Sequence, residues 1–291
     1  MKSRSVGRPA IAIVGAGHLG TSLALSLHSA GYRVGEIVSR EGRSSRRRAS
    51  ALAKRVGAVV IDVGAQEIHG DVVWLCVPDR EIARCAKALA RGDWKGRVVL
   101  HSSGALASDE LRSLQRQGAR VASVHPLMTF VAGSQPSFVG APFAVEGDAP
   151  ALRVAKQIVL RLGGWAYPIR KRDKAAYHAW GTFASPLLIA LLATTEQVAR
   201  RAGVSTQQAR KRMMPILRQT LANYASFGPA NAFSGPIVRG DIDTVKRHLL
   251  ALEPVPVARK VYTALAQAAI EYLPTKNKAG LQHVIKRALR K

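Results

Sequence analysis

The stretch Ile11-Ala12-Ile13-Val14-Gly15-Ala16-Gly17-His18-Leu19-Gly20 constrains this chain more than any other. Its apolar opening suits a buried parallel strand, and its glycines fall in the pattern G-x-G-x-x-G. Leu19, Leu23 and Leu27 then recur at helical spacing until Gly31. The segment predicts a strand, a tight turn and a helix. In such a unit Gly15 makes the turn, Gly17 lets backbone approach a pyrophosphate, and Gly20 packs helix on strand. The helix N-terminus adds free N–H groups and the positive end of its dipole. Gly15, Ala16, Gly17, His18, Leu19 and Gly20 are therefore the expected dinucleotide loop. A glycine-rich turn with no ligand is the plainer alternative.

Apolar, strand-like runs recur at 33–38, 59–63, 71–77, 97–100, 121–124, 142–146 and 165–169. Helical patterns at 46–56, 80–91 and 150–162 separate several of them. This alternation predicts an α/β fold with a doubly wound, mostly parallel Rossmann sheet. From Asp173 onward the strand pattern stops. A helix at 174–201, bent at Pro186, leads to a second that starts at the capping box Ser205-Thr206-Gln207-Gln208. That second helix carries Pro215 and ends near Gly228. After a breaker-rich loop, Ser234–Asp241, helices follow at 243–252, 256–272 and 279–290. Two domains are expected: a dinucleotide-binding domain at 1–170 and an all-helical domain at 171–291.

The end of the second strand bears on which dinucleotide is bound. An NAD site usually places a carboxylate about 20 residues beyond the glycine loop. Here that place holds Ser39-Arg40, with Arg43 close behind. A hydroxyl and a guanidinium suit a 2′-phosphate, which a carboxylate would repel. NADP(H) is favoured. Glu36, inside the strand, is expected to be paired or edge-exposed. The turns Val77-Pro78-Asp79 and Ser102-Ser103-Gly104 follow strands too. Ligands of open α/β sheets lie beyond the strands' carboxyl ends, so Val77, Pro78, Ser102 and Ser103 are expected to line the cofactor crevice. Ordinary turn chemistry would explain the same residues.

Hydride transfer to C=O or C=N also needs a proton donor. His125 leaves a strand at the crevice edge, although a histidine before proline also suits a structural turn. Tyr177 and His178 open the first helix of the second domain, about 100° apart, so one of them at most is expected to face the reacting atoms. Lys174 shares a helix face with both, or is simply a capping or surface lysine. In the second domain Arg239 could clamp a substrate anion. Equally, it could pair with Asp241, or Asp241 could cap the next helix.

Composition limits the alternatives. The chain has 44 basic and 18 acidic residues, a net charge of +26. Such a balance suggests a polyanion, and Arg40, Arg43, Arg46, Arg47, Arg48, Lys54 and Arg55 are its densest cluster. The other cations are scattered and no nucleic-acid-binding motif accompanies them, so no specific nucleic-acid partner is expected. The basic start Met1–Arg4 with the apolar run after it resembles a secretory leader, but the glycines favour the turn reading. Phe183–Ala193 is too short to span a bilayer and contains Pro186, so no membrane segment is expected. Two cysteines, Cys76 and Cys85, form no motif and suit a reduced, cytoplasmic setting. The histidines show no metal-ligand spacing, so no metal is expected.

Taken together, Gly15–Gly20, Val77-Pro78-Asp79, His101–Leu106, His125–Phe130, Tyr177-His178 and Ser234–Asp241 resemble one bacterial family. That family joins a Rossmann-like NADP oxidoreductase domain to a helical domain of unknown function, number 2520. It sits within the 6-phosphogluconate dehydrogenase and pyrroline-5-carboxylate reductase-like superfamily. The resemblance implies a helical domain that closes over the nicotinamide, and a homodimer. β-Hydroxyacid dehydrogenases of the same superfamily pair a lysine with an asparagine one helical turn on. Lys174 is followed there by His178, so their mechanism does not transfer. The expected function is NADP(H)-dependent hydride transfer to or from a small anionic carbonyl, imine, hydroxy or amino compound. A non-catalytic NADP(H)-binding regulator is the alternative.

Overall fold

A computed structural model describes residues 8–40, 42–64 and 67–290. The leader-like start, Met1–Arg4, lies outside the described residues. The chain forms two compact units, Met1–Thr182 and Phe183–Lys291.

Unit 1 is built on one 8-stranded sheet. Its strands are β1 (Ile11–Val14), β2 (Val34–Ser39), β3 (Val59–Asp62), β4 (Val72–Leu75), β5 (Val98–His101), β6 (Arg120–Pro126), β7 (Pro142–Gly147) and β8 (Trp165–Pro168). Their order is β3-β2-β1-β4-β5-β6-β7-β8, and every pair is parallel except β6 with β7. The chain winds outward from β1 to β3, then returns to β4 on the other side of β1. A crevice opens where the winding reverses, beyond the carboxyl ends of β1 and β4.

Two-residue periodicity sends alternate side chains of β1 to opposite faces. Ile11 and Ile13 join one apolar layer with Leu23 and Leu27 of α1 (His18–Ser29). The same layer takes Leu52 of α2 (Arg43–Val56) and Ile158 of α5 (Ala149–Arg161). Ala12 and Val14 face the other layer with Ile82 of α3 (Asp79–Leu89) and Leu114 of α4 (Arg112–Arg116). Helices on both faces explain why β1 and β4 are apolar throughout rather than alternating. Glu36 of β2 is buried, and its carboxylate accepts the backbone N–H groups of His69 and Gly70.

Helix α6 (Lys174–Ala184) begins in unit 1. The unit boundary therefore falls about a helix length beyond the expected 170/171, because Lys174 and Tyr177 are buried with the sheet. Unit 2 contains α7 (Pro186–Arg201), α8 (Thr206–Ala232), α9 (Pro236–Arg239), α10 (Ile242–Ala251), α11 (Pro256–Tyr272) and α12 (Lys278–Leu289). No strand occurs among its described residues. Val245, Leu249, Ala266, Ile270, Leu281 and Ile285 form its core. Ser205 caps α8 through Gln208 N–H, as the capping box predicts. Gly228 interrupts that helix at φ +72°. The Ser234–Asp241 segment, expected as loop, contains α9, closed by Gly240 in the left-handed region.

The apolar stretch Phe183–Ala193 lies within a longer helical run. The helical run Lys171–Arg201 is long and apolar enough, by length and composition, to cross a bilayer. It is broken at Ser185, however, where φ is −130° and ψ is −82°. Neither part, at 11 and 16 residues, reaches the about 20 residues a spanning helix needs.

Candidate active site

The three glycines of the turn do different work. Gly15 has φ +101°, and a Cβ there would lie 2.8 Å from the Cys76 carbonyl oxygen. A Cβ on Gly20 would lie 2.0 Å from the Gly15 oxygen. These two set how closely β1, α1 and the end of β4 pack. Gly17 differs, since a Cβ on it would meet nothing within 4 Å. Gly17 is also the N-cap of α1 and offers no side-chain cap, so N–H groups of the first turn face open space. A cavity of about 420 Å³ lies there, lined by Ala16, Gly17, His18, Arg48 and Arg55 among others. Leu19 and Ala16 lean on the core, so their backbone is what they can offer a ligand. An uncapped helix start, open glycine and nearby guanidinium groups fit a pyrophosphate.

The end of β2 corrects one expectation. Ser39 is buried, and its hydroxyl bonds to Asp62 Oδ1 at 2.9 Å and to the Arg40 carbonyl at 3.1 Å. Its proton is thus used inside the sheet, where Ser39 and Asp62 stand in register, rather than for a phosphate. Arg40 does face a cavity, of about 640 Å³, together with Arg84 and Arg91. Glu81 holds Arg84 in an ion pair and lies 3.9 Å from Arg40. Arg84 was not apparent from the sequence, because it enters this space from α3, far along the chain from the β2 turn.

The turns after β4 and β5 are tied together. The Val77 side chain abuts Gly15, and Pro78 is the N-cap of α3. The Ser102 hydroxyl accepts the Trp74 indole N–H at 2.8 Å. Ser103 is a hub rather than a free crevice hydroxyl. Its Oγ donates to Asp79 at 2.8 Å and accepts the N–H groups of Ala105 and Leu106. Its own N–H donates to His101 Nδ1 at 3.1 Å. Burial, reinforced by the Lys174 charge, lowers the His101 pKa to about 4 and keeps that ring neutral.

Lys174 is fully buried, at 0% exposure, which overturns the surface or capping reading. Its ammonium donates to the Ser103 carbonyl at 3.0 Å and to Ser123 Oγ at 2.7 Å. Burial lowers its pKa to about 8, with Glu146 and Asp79 opposing the shift. Ser123 was missed in the sequence because it lies mid-strand in β6, with no loop or motif to mark it.

His125, Tyr177 and His178 do come together. His125 Nδ1 lies 2.8 Å from the Tyr177 hydroxyl. The His125 ring stands edge-on to both neighbours, at centroid distances of 5.4 Å to Tyr177 and 6.0 Å to His178. Two residues on different sides of α6 reach one ring because His125 lies between them. Tyr177 is buried and His178 exposed. Burial and then the Lys174 charge lower the His125 pKa to about 3, so the imidazole is neutral. Burial raises the Tyr177 pKa, so the phenol keeps its proton and can donate it to Nδ1 of the neutral ring or accept from it. With the phenol as donor, the ring proton of His125 sits on Nε2. A Cβ on Gly104 would lie 2.9 Å from that nitrogen and 2.5 Å from His178. Gly104 therefore makes the room in which both imidazoles stand, a role its place in the motif did not reveal.

Arg239 lies in unit 2, exposed at the end of α9. Asp241 takes the capping role, accepting from the Thr244 N–H at 3.0 Å and its hydroxyl at 2.7 Å.

Comparison with known proteins agrees with this architecture. Residues 3–126 match a Rossmann-like domain, and residues 141–269 match the domain of unknown function DUF2520. No curated protein matches the chain. A Bacteroides fragilis protein assigned as an NADP oxidoreductase is 20% identical with a TM-score of 0.76, over 91% of this chain and 98% of its own. A reductive aminase from Aspergillus terreus, solved with NADPH and ethyl-5-oxohexanoate, is 16% identical with a TM-score of 0.65, over 94% and 99%. A pyrroline-5-carboxylate reductase from Coxiella burnetii is 13% identical with a TM-score of 0.57, over 98% of each. At such identities the likeness is one of fold. The two domain matches together span most of the chain in order, a Rossmann-like domain followed by DUF2520.

Proposed function

We propose that the protein is an NADP(H)-dependent oxidoreductase acting on a small anionic carbonyl or imine, or on the corresponding hydroxy or amino compound. One observation carries the reading: an unbroken line of contacts along the carboxyl edge of the sheet in unit 1. Gly15 abuts Cys76 and Val77, Asp79 binds Ser103, Ser103 binds Lys174, and Gly104 adjoins His125. A dinucleotide seat thus shares one edge with buried acid–base groups. The NADPH held by the Aspergillus terreus enzyme supports the same cofactor here.

The α1 start and Gly17 would hold the pyrophosphate, and Arg40 with Arg84 the 2′-phosphate. Bound there, NADPH supplies a hydride. His125 offers its Nε2–H to a carbonyl oxygen or imine nitrogen, as a neutral imidazole can polarise such a group. Tyr177 fixes the tautomer. Lys174, with a pKa of about 8, can exchange a proton within about a unit of neutral pH. Arg239, exposed in unit 2 and without an ion pair among the described residues, has the chemistry to bind a carboxylate.

The reading extends to assembly. Phe183, Ile189, Ile216, Leu221, Tyr224 and Phe227 are exposed apolar side chains on α6, α7 and α8, which a second copy of the chain would cover. The two free thiols suit a cytoplasmic setting. Sedimentation of the purified protein tests the dimer, and a monomer at micromolar concentration overturns it.

Function is tested by following NADPH oxidation across a panel of keto acids and cyclic imines, with NADPH binding measured in parallel. Turnover of a panel member is expected. Tight NADPH binding without turnover would support the regulatory alternative, and no binding would sink both.

A further inference from the structure

Unit 2 contains a cavity of its own, of about 620 Å³, among α10, α11 and α12. Its floor is the outer edge of the unit's core, at Leu249, Ile242 and Val284. Its rim is basic. Lys246 comes from α10, Arg259 from α11, and His283 and Arg287 from α12, against a single carboxylate, Glu253.

Arg259 gives this cavity its chemistry. Its Nε is buried and has no hydrogen-bond partner. Two other described side-chain atoms share that condition, Ser113 Oγ and Tyr167 OH, and both are hydroxyls that can donate or accept. That nitrogen is closed off by protein, so a ligand in the cavity meets the rest of the Arg259 guanidinium, whose N–H groups can only donate. Lys246 already pairs with Asp243 at 3.4 Å, whereas Arg259 and Arg287 have no ion pair among the described residues. The volume is within the range of small-ligand sites, about 300–1,000 Å³.

We infer that this cavity binds a small amphiphilic anion, a carboxylate or phosphate monoester carrying an apolar chain. The anion meets Arg259 and Arg287, and the chain lies over Leu249 and Val284. Every lining residue belongs to unit 2, so the inference stands apart from the oxidoreductase reading.

Calorimetric titration of the intact protein tests it with octanoate, octyl phosphate, octanol and inorganic phosphate. Octanoate or octyl phosphate should bind, and the tighter of the two identifies the head group. Octanol and inorganic phosphate should bind at least about tenfold more weakly, because each lacks half of the recognised chemistry. Arg259→Gln and Arg287→Gln should each weaken binding by about tenfold or more, while Arg116→Gln, in unit 1, leaves it unchanged. The inference falls if neither amphiphile binds. It also falls if octanol or inorganic phosphate binds as tightly, or if both variants bind like the parent. Melting curves verify folding, and Arg287→Gln carries the test alone should Arg259→Gln not fold.

Discussion

The Tyr177 hydroxyl lies 2.8 Å from His125 Nδ1, joining the first turn of α6 to the end of β6 across 52 positions of chain. With the phenol as donor, the imidazole keeps its own proton on the side of Gly104. Tyr177→Phe keeps the packing and removes only that constraint. Turnover should fall about 10- to 100-fold with little change in NADPH affinity, since the loss is of orientation rather than cofactor contact. Stability should fall by about 1 kcal/mol. Steady-state kinetics and a denaturant melt check both, and an unchanged kcat would remove Tyr177 from the proposed site.

The glycine turn separates folding from binding. Gly17→Ala adds a methyl group where nothing lies within 4 Å, so its melting temperature should match the parent's. Its NADPH affinity should drop by about tenfold or more, because the methyl occupies the pyrophosphate approach. Gly20→Ala forces a carbon to within 2.0 Å of the Gly15 oxygen and should destabilise unit 1 by about 1–3 kcal/mol. Fluorescence titration with NADPH and thermal melts of the two variants would reveal any failure of this division.

Lys174 should leave an alkaline signature. Its folded pKa of about 8 lies below the ordinary 10.5. Between those values the unfolded chain binds the extra proton, so stability should rise with pH across that window. Lys174→Met keeps much of the volume without the charge. It should flatten that rise and leave neutral-pH stability near the parent's, since relief of the buried charge offsets the lost bonds. Urea melts at a series of alkaline pH values test this, and a slope that persists in the variant refutes the assignment.

The two buried imidazoles act on the acid side. His101 and His125 have folded pKa values of about 4 and about 3, below the ordinary 6.5. As pH falls below 6.5 the unfolded state takes up protons first. Stability is full above 6.5 and declines down to the folded values, by on the order of 3 kcal/mol per group. His125→Gln should remove part of the decline. Melts between neutral pH and pH 4 measure it, and identical curves for parent and variant would contradict the buried neutral state.

Local pattern carried much of the fold. Each of the eight strands falls on an apolar run that the sequence displays, and Gly31, Ser205, Asp241 and Gly15 stop or start elements where their chemistry demands. These features depend on residues within a few positions of one another, through side-chain periodicity, capping and the φ freedom of glycine. His125 at a strand end and Tyr177 and His178 at a helix start were legible as candidates, but at most one of the two was expected to face the site, whereas both adjoin the His125 ring.

Partners of buried polar groups were not legible. Ser39 looked like a phosphate ligand and instead bonds Asp62, 23 positions away. Ser103 looked like a crevice hydroxyl and instead anchors Asp79, His101 and Lys174. Lys174 was open between a shared face with Tyr177 and His178 and a capping or surface place, and is sealed against Ser103, 71 positions earlier, and Ser123. The sequence alone determined a dinucleotide-type turn on a doubly wound sheet, with helices after it, because periodicity and glycine conformation are properties of neighbours in the chain. Only the tertiary structure decided which hydroxyls and cations are used inside the protein. A polar group removed from water takes whichever partner the closed fold brings to it, and that partner is set by strand order rather than by position in the sequence.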